Sequence, residues 1–336
     1  MGEYYGVAYQ TIRRAMRELR ERGSWSQSSA RARSSPRGSS EVGPRFSWGR
    51  RAVLCSGVET KVGSFGDVMA GNSGVDLDGI RALVTGGTSG IGLAMAGALA
   101  RAGARVVITS RSAERAAEAA ARLPGVLGLA ADARDEVSVA RAADQAWSRL
   151  GGIDLLVNNA GLGMRTVNPR FMVEPRGFWE IPPERFRAVI DVNLTGYFLM
   201  ARELTPRMLD ARSGRIVNIS MNHTTMNRRG FVPYGPSRAG AEALSRIMAA
   251  DLADTPVRVN TLLPGGATDT GMLPPGGRPA GLTLIDPAVM GPPIVWLASA
   301  QARDVHDQRI VAIDFEGWLA SRRAALVGRP SAQPDT

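Results

Sequence analysis

Short apolar segments rich in β-branched residues alternate with alanine-rich segments of helical spacing from about residue 76 to residue 316. A strand that is apolar at nearly every position is buried on both faces, which is typical of a parallel sheet covered by helices on its two sides. The alternation continues without a linker, so it predicts an α/β fold with one doubly wound domain and a seven-stranded parallel sheet. The predicted strands lie in 80–85, 105–110, 126–132, 153–161, 214–220, 257–265 and 308–315, and the longest predicted helices in 184–211 and 236–253.

Residues 1–75 are predicted to be a basic N-terminal extension outside this domain. The stretch 24–40 is rich in Ser and Arg and has too few apolar residues to bury a core of its own. Met69 opens a stretch that resembles a natural start, so the preceding residues are interpreted as a disordered extension or as an over-long reading of the gene. The domain is expected to span 76–320, and 321–336, which show no periodic pattern, are expected to form a flexible tail.

The composition disfavours three classes of function. Cys55 is the single cysteine, and His223 and His306 are the two histidines, so neither a disulfide nor a metal site is expected. The chain has no uncharged apolar stretch of about 18 residues, so we expect a cytoplasmic protein without a membrane span. Of the net charge of +10, six charges lie in residues 1–68, so the charge does not indicate a folded nucleic-acid-binding face.

A glycine-rich turn, "TGGTSGIG" at 85–92, joins the first predicted strand to the first predicted helix. Glycines at such a turn allow the backbone to approach a pyrophosphate closely, and the helix N-terminus offers unpaired N–H groups to the phosphates. The alternative is a tight strand-to-helix turn without a ligand. The pattern favours a dinucleotide site that includes Gly86, Thr88, Ser89, Gly90, Ile91 and Gly92.

The end of the second strand distinguishes the two nicotinamide cofactors. An acidic residue at this position would bind the ribose 2′-hydroxyl of NAD, whereas an arginine accommodates the 2′-phosphate of NADP. This chain has Ser110 at that position and Arg111 next to it, and a guanidinium can bind a phosphate through two hydrogen bonds. Arg111 could instead be an ordinary exposed arginine. The sequence therefore predicts NADP, with NAD the less favoured cofactor.

Five motifs occur in an order and at spacings that resemble the short-chain dehydrogenase/reductase family. They are "TGGTSGIG", "NNAG" at 158–161, "DVNLTG" at 191–196, "YGPSR" at 234–238 and "LLPGG" at 262–266, and the resemblance covers about residues 76–316. The resemblance implies a single-domain Rossmann fold and hydride transfer between NAD(P) and a carbonyl or alcohol substrate. It also implies a homodimer or homotetramer formed through the two long helices.

Further site residues are implied by the same resemblance. Asn193 matches a catalytic asparagine that positions a water for proton transfer, unless it only holds a bend within its helix. Asp132 and Ala133 would flank the adenine, although Asp132 could equally cap a loop. The other matching cofactor residues are Asn159, Ala160, Gly161, Pro264, Gly265, Ala267 and Thr268.

Tyr234 matches the general acid of the family, and Arg238 occupies the position of its lysine. A free tyrosine has a pKa of about 10, and a cation four residues along the same helix face favours its ionised form. Arginine keeps that charge and can bond ribose hydroxyls, but it is effectively never deprotonated and cannot carry protons as an ammonium can. Tyr234 and Arg238 are therefore predicted to be both catalytic and cofactor-binding residues.

After the arginine at position 238, the serine is the second catalytic position at which this chain differs from the family pattern. It usually lies thirteen residues before the tyrosine, where this chain has Met221, and Ser220 lies one residue earlier. We expect Ser220 to take the catalytic role, with Asn222 and His223 as the nearest substitute donors. Ser220 could also be a strand-end serine that only satisfies the backbone.

Two variable segments could contribute to a substrate pocket. The first contains Phe171, Phe178 and Trp179 together with Arg165, Arg170 and Arg176, which would suit an apolar, acidic ligand or else form a subunit contact or a self-packed loop. The second, 270–284, lies where the family has a mobile lid.

The leading hypothesis is an NADPH-dependent oxidoreductase that interconverts a carbonyl and a secondary alcohol. The alternative is a cofactor-binding protein with impaired catalysis that acts as a scaffold or redox sensor, which Arg238 and Met221 favour. The expected partner is a small-molecule carbonyl or alcohol substrate, and no nucleic acid or membrane is expected.

Overall fold

A computed structural model describes residues 75–276 and 278–327. Seven parallel strands form one sheet in the order β3-β2-β1-β4-β5-β6-β7. This arrangement confirms the predicted doubly wound parallel sheet. The strands are β1 Arg81–Val84, β2 Arg105–Ser110, β3 Val126–Ala130, β4 Leu155–Asn158, β5 Gly214–Ile219, β6 Val257–Leu263 and β7 Arg309–Val311.

Helices connect these strands and cover the sheet. The α-helices of the described residues are α1 Gly90–Arg101, α2 Ala113–Ala120, α3 Glu136–Leu150, α4 Pro183–Ile190, α5 Gly196–Asp210, α6 His223–Met226, α7 Tyr234–Asp251, α8 Gly291–Ala298 and α9 Phe315–Val327. Short 3-10 turns lie at Met164–Thr166, Phe178–Glu180, Pro287–Met290, Ala300–Ala302 and Ala312–Asp314.

The sheet separates two apolar cores. Successive side chains of a strand point to opposite faces, so Leu83 and Leu156 lie in one core while Val84 and Val157 lie in the other. One core is completed by α1, α8 and α9, and the other by α3, α5 and part of α7. Both faces of the strands are buried, which explains why their sequences lack polar alternation.

The strand order reverses between β1 and β4. The chain runs outward from β1 through β2 to β3, and then returns to the other side of β1 with β4. Loops at the carboxyl ends of strands diverge at such a reversal and leave a crevice, which is where open α/β sheets bind ligands. The glycine-rich turn leaves β1 at this crevice.

The predicted helix 184–211 is interrupted. A π-helical segment, Asp191–Thr195, lies between α4 and α5 and contains Asn193. One extra residue in the turn shifts the side chains that follow, and π segments of this kind frequently occur at functional sites. The apolar periodicity of the sequence does not mark it.

The end of the chain differs from the expected tail. Helix α9 continues to Val327, beyond the predicted domain limit at residue 320. Phe315 and Leu319 are buried on it, and Trp318 lies edge-on to Trp296 of α8 with ring centroids 5.5 Å apart. These aromatic contacts hold the helix on the domain. The expectations for residues 1–74 and 328–336 fall outside the described residues.

The described part of the chain includes no helix that is long and apolar enough to cross a membrane. Within the same residues, no group of three or more His, Cys, Asp or Glu side chains is arranged to hold a metal ion.

Candidate functional site

A cavity of about 930 Å³ opens at the carboxyl ends of the strands, at the reversal between β1 and β4. Its glycine end is formed by the turn after β1 and by the ends of β2 and β3. Its apolar end is formed by Met164, Phe171, Met172, Met221, Phe231 and Leu273. The predicted residues that line it are Gly86, Thr88, Ser89, Gly90, Ile91, Gly92, Arg111, Asp132, Ala133, Asn159, Ala160, Gly161, Ser220, Tyr234, Arg238, Pro264, Gly265, Ala267 and Thr268.

The glycine-rich turn packs directly against the end of β4. Gly86 has a φ of +64°, and a Cβ atom there would lie 2.8 Å from the Ala160 Cα. A Cβ atom on Gly92 would lie 2.3 Å from the Asn159 Nδ2 and 2.5 Å from the Gly86 carbonyl oxygen. Larger residues would therefore push the turn away from the sheet and close the space beside it.

Hydrogen bonds fix the same turn. The Asn159 side-chain amide donates to the carbonyl oxygens of Thr85 (2.9 Å) and Gly86 (3.0 Å). The Thr85 hydroxyl accepts from the backbone N–H groups of Asn159 and Ala160. Ser89 precedes α1, and its side chain does not cap the helix. The first backbone N–H groups of α1, at the cavity wall, are therefore available to a ligand. This cradle fits a dinucleotide pyrophosphate.

Two arginines line the cavity beyond the end of β2. Arg111 follows the strand directly, and Arg115 lies one helical turn later in α2. Arg115 also lines a smaller adjoining cavity together with Arg122. Arg115 was missed by the sequence analysis, although its spacing of four residues from Arg111 was a signal for it.

Asp132 lies at the wall of the cavity and also bonds within its own loop. It lines the cavity, but its carboxylate accepts from the Arg134 backbone N–H (3.0 Å) and forms an ion pair with the Arg134 guanidinium (2.6 Å). The hydrogen bond from Arg134 lowers the pKa of Asp132 and keeps it ionised. The side chain therefore holds its own loop.

Tyr234 begins α7 and its hydroxyl lies 4.0 Å from the Met272 Sδ, at the apolar end of the cavity. One turn later, Arg238 is 2% exposed, and the carbon at the centre of its guanidinium is 5.3 Å from the Tyr234 ring centroid. A Cβ atom on Gly161 would lie 2.5 Å from the Arg238 Nη2, so the guanidinium also contacts the segment after β4. Tyr234 and Arg238 thus meet between the two ends of the cavity.

Arg238 is a buried cation whose described partners are neutral. Its Nη1 donates to the Tyr197 hydroxyl (2.6 Å) and to the Ile219 carbonyl oxygen (2.9 Å), and its Nε has no hydrogen-bond partner among the described residues. Burial raises the pKa of Tyr197, so this phenol stays protonated. Burial alone would lower the pKa of Arg238, but Tyr197 and Tyr234 raise it, so the charge persists.

Asn193 does not line the cavity. It is fully buried, and its amide nitrogen donates to the Leu162 carbonyl oxygen and the Ser237 hydroxyl, each at 3.0 Å. Its oxygen accepts from the Leu162 backbone N–H at 2.7 Å. The side chain therefore ties the π-helical segment to the loop after β4 and to the first turn of α7.

Ser220 lies at the end of β5 and donates its hydroxyl proton to the Glu242 carboxylate at 2.6 Å. Glu242, on α7, also binds His223 at 2.8 Å and Arg309 at 3.0 Å, and Arg309 donates to the Met221 carbonyl oxygen at 2.8 Å. We refer to Ser220, His223, Glu242 and Arg309 as the Glu242 cluster. A hydroxyl has one proton, so in this arrangement Ser220 has none to offer to a substrate.

The two substitute donors considered in the sequence are also engaged. His223 is largely exposed, does not line the cavity and bonds Glu242. Asn222 lines the cavity, but its amide donates to the Gly265 carbonyl oxygen at 2.6 Å. The sequence analysis missed Glu242 and Arg309, although Glu242 lies two turns after Tyr234 on the same helix face.

The variable segment between β4 and α4 contributes only in part. Arg165 and Phe171 line the cavity, whereas Arg170 pairs with Glu174 at 2.6 Å. Arg176, Phe178 and Trp179 do not line it, and the two aromatic rings are 70% and 76% exposed. The predicted lid contributes Met272, Leu273 and Leu282, and Arg228 before α7 was not predicted but lines the apolar end.

Comparison with known proteins places the chain in one family. A family model described as short chain dehydrogenase matches residues 81–277. A 1-deoxy-11-beta-hydroxypentalenate dehydrogenase of Streptomyces exfoliatus is 38% identical over 57% of this chain and 68% of the relative. A 3-oxoacyl-(acyl-carrier-protein) reductase of Aquifex aeolicus is 37% identical over 57% of this chain and 75% of the relative.

A solved structure agrees with these sequence relatives. The 3-ketoacyl-(acyl-carrier-protein) reductase from Brucella melitensis complexed with NADH has a TM-score of 0.63 and 29% identity, covering 70% of this chain and 97% of that one. The strand order, the sequence motifs and the relatives all indicate the same family. The chain belongs to the short chain dehydrogenase family and is an NAD(P)-dependent oxidoreductase that interconverts a carbonyl group and an alcohol.

Proposed function

We propose that this protein is an NADPH-dependent carbonyl reductase in which Tyr234 exchanges the proton and Arg238 replaces the lysine of the family. The observation that carries the proposal is the buried charge of Arg238, which has only neutral described partners and contacts the Tyr234 ring. Burying a cation without a counter-charge is costly, so such a group is expected where a negative charge develops. That charge is the tyrosinate formed when Tyr234 gives its proton to a substrate oxygen.

Each residue then has a separate task. NADPH, when bound, would supply the hydride. Tyr234 protonates the oxygen of the reduced carbonyl, and Arg238 stabilises the phenolate that remains. Because Ser220 directs its proton to Glu242, Tyr234 is also the hydroxyl that polarises the carbonyl. Asn193 positions the first turn of α7, where Tyr234 lies.

The preference for NADPH rests on Arg111 and Arg115. Both line the glycine end of the cavity, beyond the strand whose end faces the adenosine ribose in this fold. Within the described residues neither forms an ion pair, although the Asp132 carboxylate interacts with Arg111 at longer range, so both guanidinium groups can bind a 2′-phosphate. The only acidic residue among those that line the described cavity, Asp132, is paired with Arg134.

A panel of ketones and aldehydes with NADPH tests the proposal through the loss of NADPH absorbance. We expect Tyr234→Phe to lower turnover by about 10²- to 10⁴-fold, the usual contribution of a positioned general acid. Arg238→Met removes the charge at similar length and should also lower turnover, whereas Arg238→Lys keeps the charge and should lower it less.

Measurement of stability separates chemistry from folding in this test. Arg238→Met leaves the buried Tyr197 hydroxyl bonded to the Ile219 carbonyl oxygen at 3.3 Å, so we expect the variant to fold and still lose activity, and thermal unfolding checks the fold. The second candidate function, a cofactor-binding protein with impaired catalysis, is favoured by the bond from Ser220 to Glu242. Tight NADPH binding without turnover in the wild-type protein and in Arg238→Lys would establish that alternative.

A further inference from the structure

We propose that the substrate is an apolar carbonyl compound that carries a carboxylate, and that Arg228 and Arg165 bind this carboxylate. The inference rests on the proposed function, since it places the reacting carbonyl at Tyr234. It extends that function by assigning a substrate class and two residues that select it.

The charges at the apolar end of the cavity all have one sign. Arg165 and Arg228 line this end, and no Asp or Glu of the described residues does. Neither arginine forms an ion pair with a described carboxylate, whereas Arg170, which does not line the cavity, pairs with Glu174. Two guanidinium groups without counter-charges at a pocket wall attract an anion.

Arg165 is bonded to the loop whose Met272 contacts Tyr234. The Arg165 Nη1 donates to the Gly271 carbonyl oxygen at 2.8 Å, and Met272, the next residue, contacts the Tyr234 hydroxyl. This bond occupies one of the five N–H groups of Arg165 and leaves the others available.

Arg228 is oriented from the other side. The carbon at the centre of its guanidinium lies 5.3 Å from the ring centroid of Phe231, which is buried and packs edge-on against Phe171. Phe231 precedes Tyr234 by three residues, so the loop that positions the phenol also positions this cation. The cation–π contact fixes the guanidinium without using its hydrogen-bond donors.

The remaining walls at this end of the cavity are largely apolar. Met164, Met172 and Met221, together with the two phenylalanines, present side chains that suit a hydrocarbon body. A ligand with a carbonyl at one end, a ring or branched body, and a carboxylate at the other end satisfies all three surfaces. A neutral ligand would leave both guanidinium groups without an anionic partner.

Matched probes test this assignment. 4-Acetylbenzoate and its methyl ester share the ketone and the ring, and they differ in the charge of the distal group and in one added methyl group. For the wild-type protein with NADPH we expect kcat/KM to be about 10- to 100-fold higher for the acid, which is typical of hydrogen bonds to a charged group. Arg228→Gln should lower kcat/KM for the acid far more than for the ester and so remove most of that advantage, and Arg165→Gln should act in the same direction.

The neighbouring Arg229 supplies a matched control. It is exposed and does not line the cavity, so Arg229→Gln should preserve the preference for the acid. An ester that is reduced as well as the acid, or a preference that survives Arg228→Gln, would overturn the inference while leaving the carbonyl reductase function intact.

If neither probe is reduced, the proposed function fails for this pair and equilibrium binding decides the inference. Tighter binding of the acid than of the ester to the NADPH-loaded protein, lost in Arg228→Gln, supports the carboxylate site. Equal binding of both probes overturns it.

Discussion

Arg238 and Glu242 lie on the two turns of α7 that follow Tyr234. They differ in their partners, because Arg238 bonds only neutral described groups whereas Glu242 bonds a cation. Arg238 is bonded by neutral groups, so its field reaches Tyr234. Glu242 is bonded by Ser220, His223 and Arg309. Burial alone would raise the pKa of Glu242, but these donors outweigh burial and lower it. Helix α7 thus presents at the cavity a cation whose described partners are neutral. Its carboxylate, which does not line the cavity, is paired with Arg309.

The lowered pKa of Glu242 predicts a pH dependence of stability. A carboxyl group whose pKa is lower in the folded state contributes stability above its unfolded pKa, near 4.5, and loses it as the pH falls through the folded pKa. Glu242→Gln lacks this contribution. We expect wild type to unfold at a higher temperature than Glu242→Gln at neutral pH, and the gap to shrink below about pH 4.5.

Thermal unfolding of both proteins across this pH range provides the measurement. Glu118→Gln, at an exposed position on α2, is the control and should run parallel to wild type. A gap between wild type and Glu242→Gln that stays constant down to strongly acidic pH would show that the carboxylate of Glu242 is not stabilised by its neighbours.

At the scale of elements, α9 depends on a few aromatic and aliphatic side chains. Leu319 is 7% exposed in the core formed with α1 and α8, and Trp318 packs on Trp296. Leu319→Ala should lower the free energy of unfolding by about 2–4 kcal/mol, because a buried Leu loses its transfer energy and leaves a cavity. Urea unfolding measures this change.

The exposed Arg323, on the same helix, supplies the comparison for Leu319. Arg323→Ala should change the free energy of unfolding by less than about 0.5 kcal/mol, as is usual at the surface. Equal effects of the two substitutions would mean that α9 is not docked on the domain.

The elements that the sequence predicts well are those set by local patterning. All seven strands lie within or at the edges of their predicted segments, because a doubly covered strand must be apolar throughout. Helix α9 was missed because its few buried residues make contacts with Trp296, far away in sequence. The π-helical segment was missed because a single extra residue in a turn leaves the apolar pattern intact.

In the candidate site, too, residues within short motifs are predictable from the sequence, whereas contacts between segments far apart in the chain are not. The glycine turn, Tyr234 and Arg238 follow from short motifs with known spacing. The bond from Ser220 to Glu242 joins residues 22 positions apart and depends on how α7 crosses the end of β5. The contribution of Arg228 likewise depends on the fold of the loop before α7, which the motifs do not specify.

At the scale of the whole molecule, arginines dominate both ends of one cavity. Arg111 and Arg115 line the glycine end, Arg165 and Arg228 line the apolar end, and the buried Arg238 lies between them. A cavity with charges of one sign concentrates oppositely charged ligands. The arrangement matches a phosphate-bearing cofactor at one end and an anionic substrate at the other, and both interactions should weaken as salt increases.

Because of these arginines, NADPH should stabilise the folded domain more than NADH does. A ligand at about 100 times its Kd stabilises the folded state by about 2.7 kcal/mol, so the melting temperature reports relative affinity. At equal concentrations, NADPH should raise the melting temperature of wild type more than NADH does. The double variant Arg111→Ala, Arg115→Ala should lose this difference through weaker NADPH binding, with the NADH shift unchanged.

Arg141→Ala, at an exposed position on α3, is the control and should retain the larger shift with NADPH. A larger shift with NADH than with NADPH in wild type would instead assign the glycine end to NAD and leave the two arginines as surface charges.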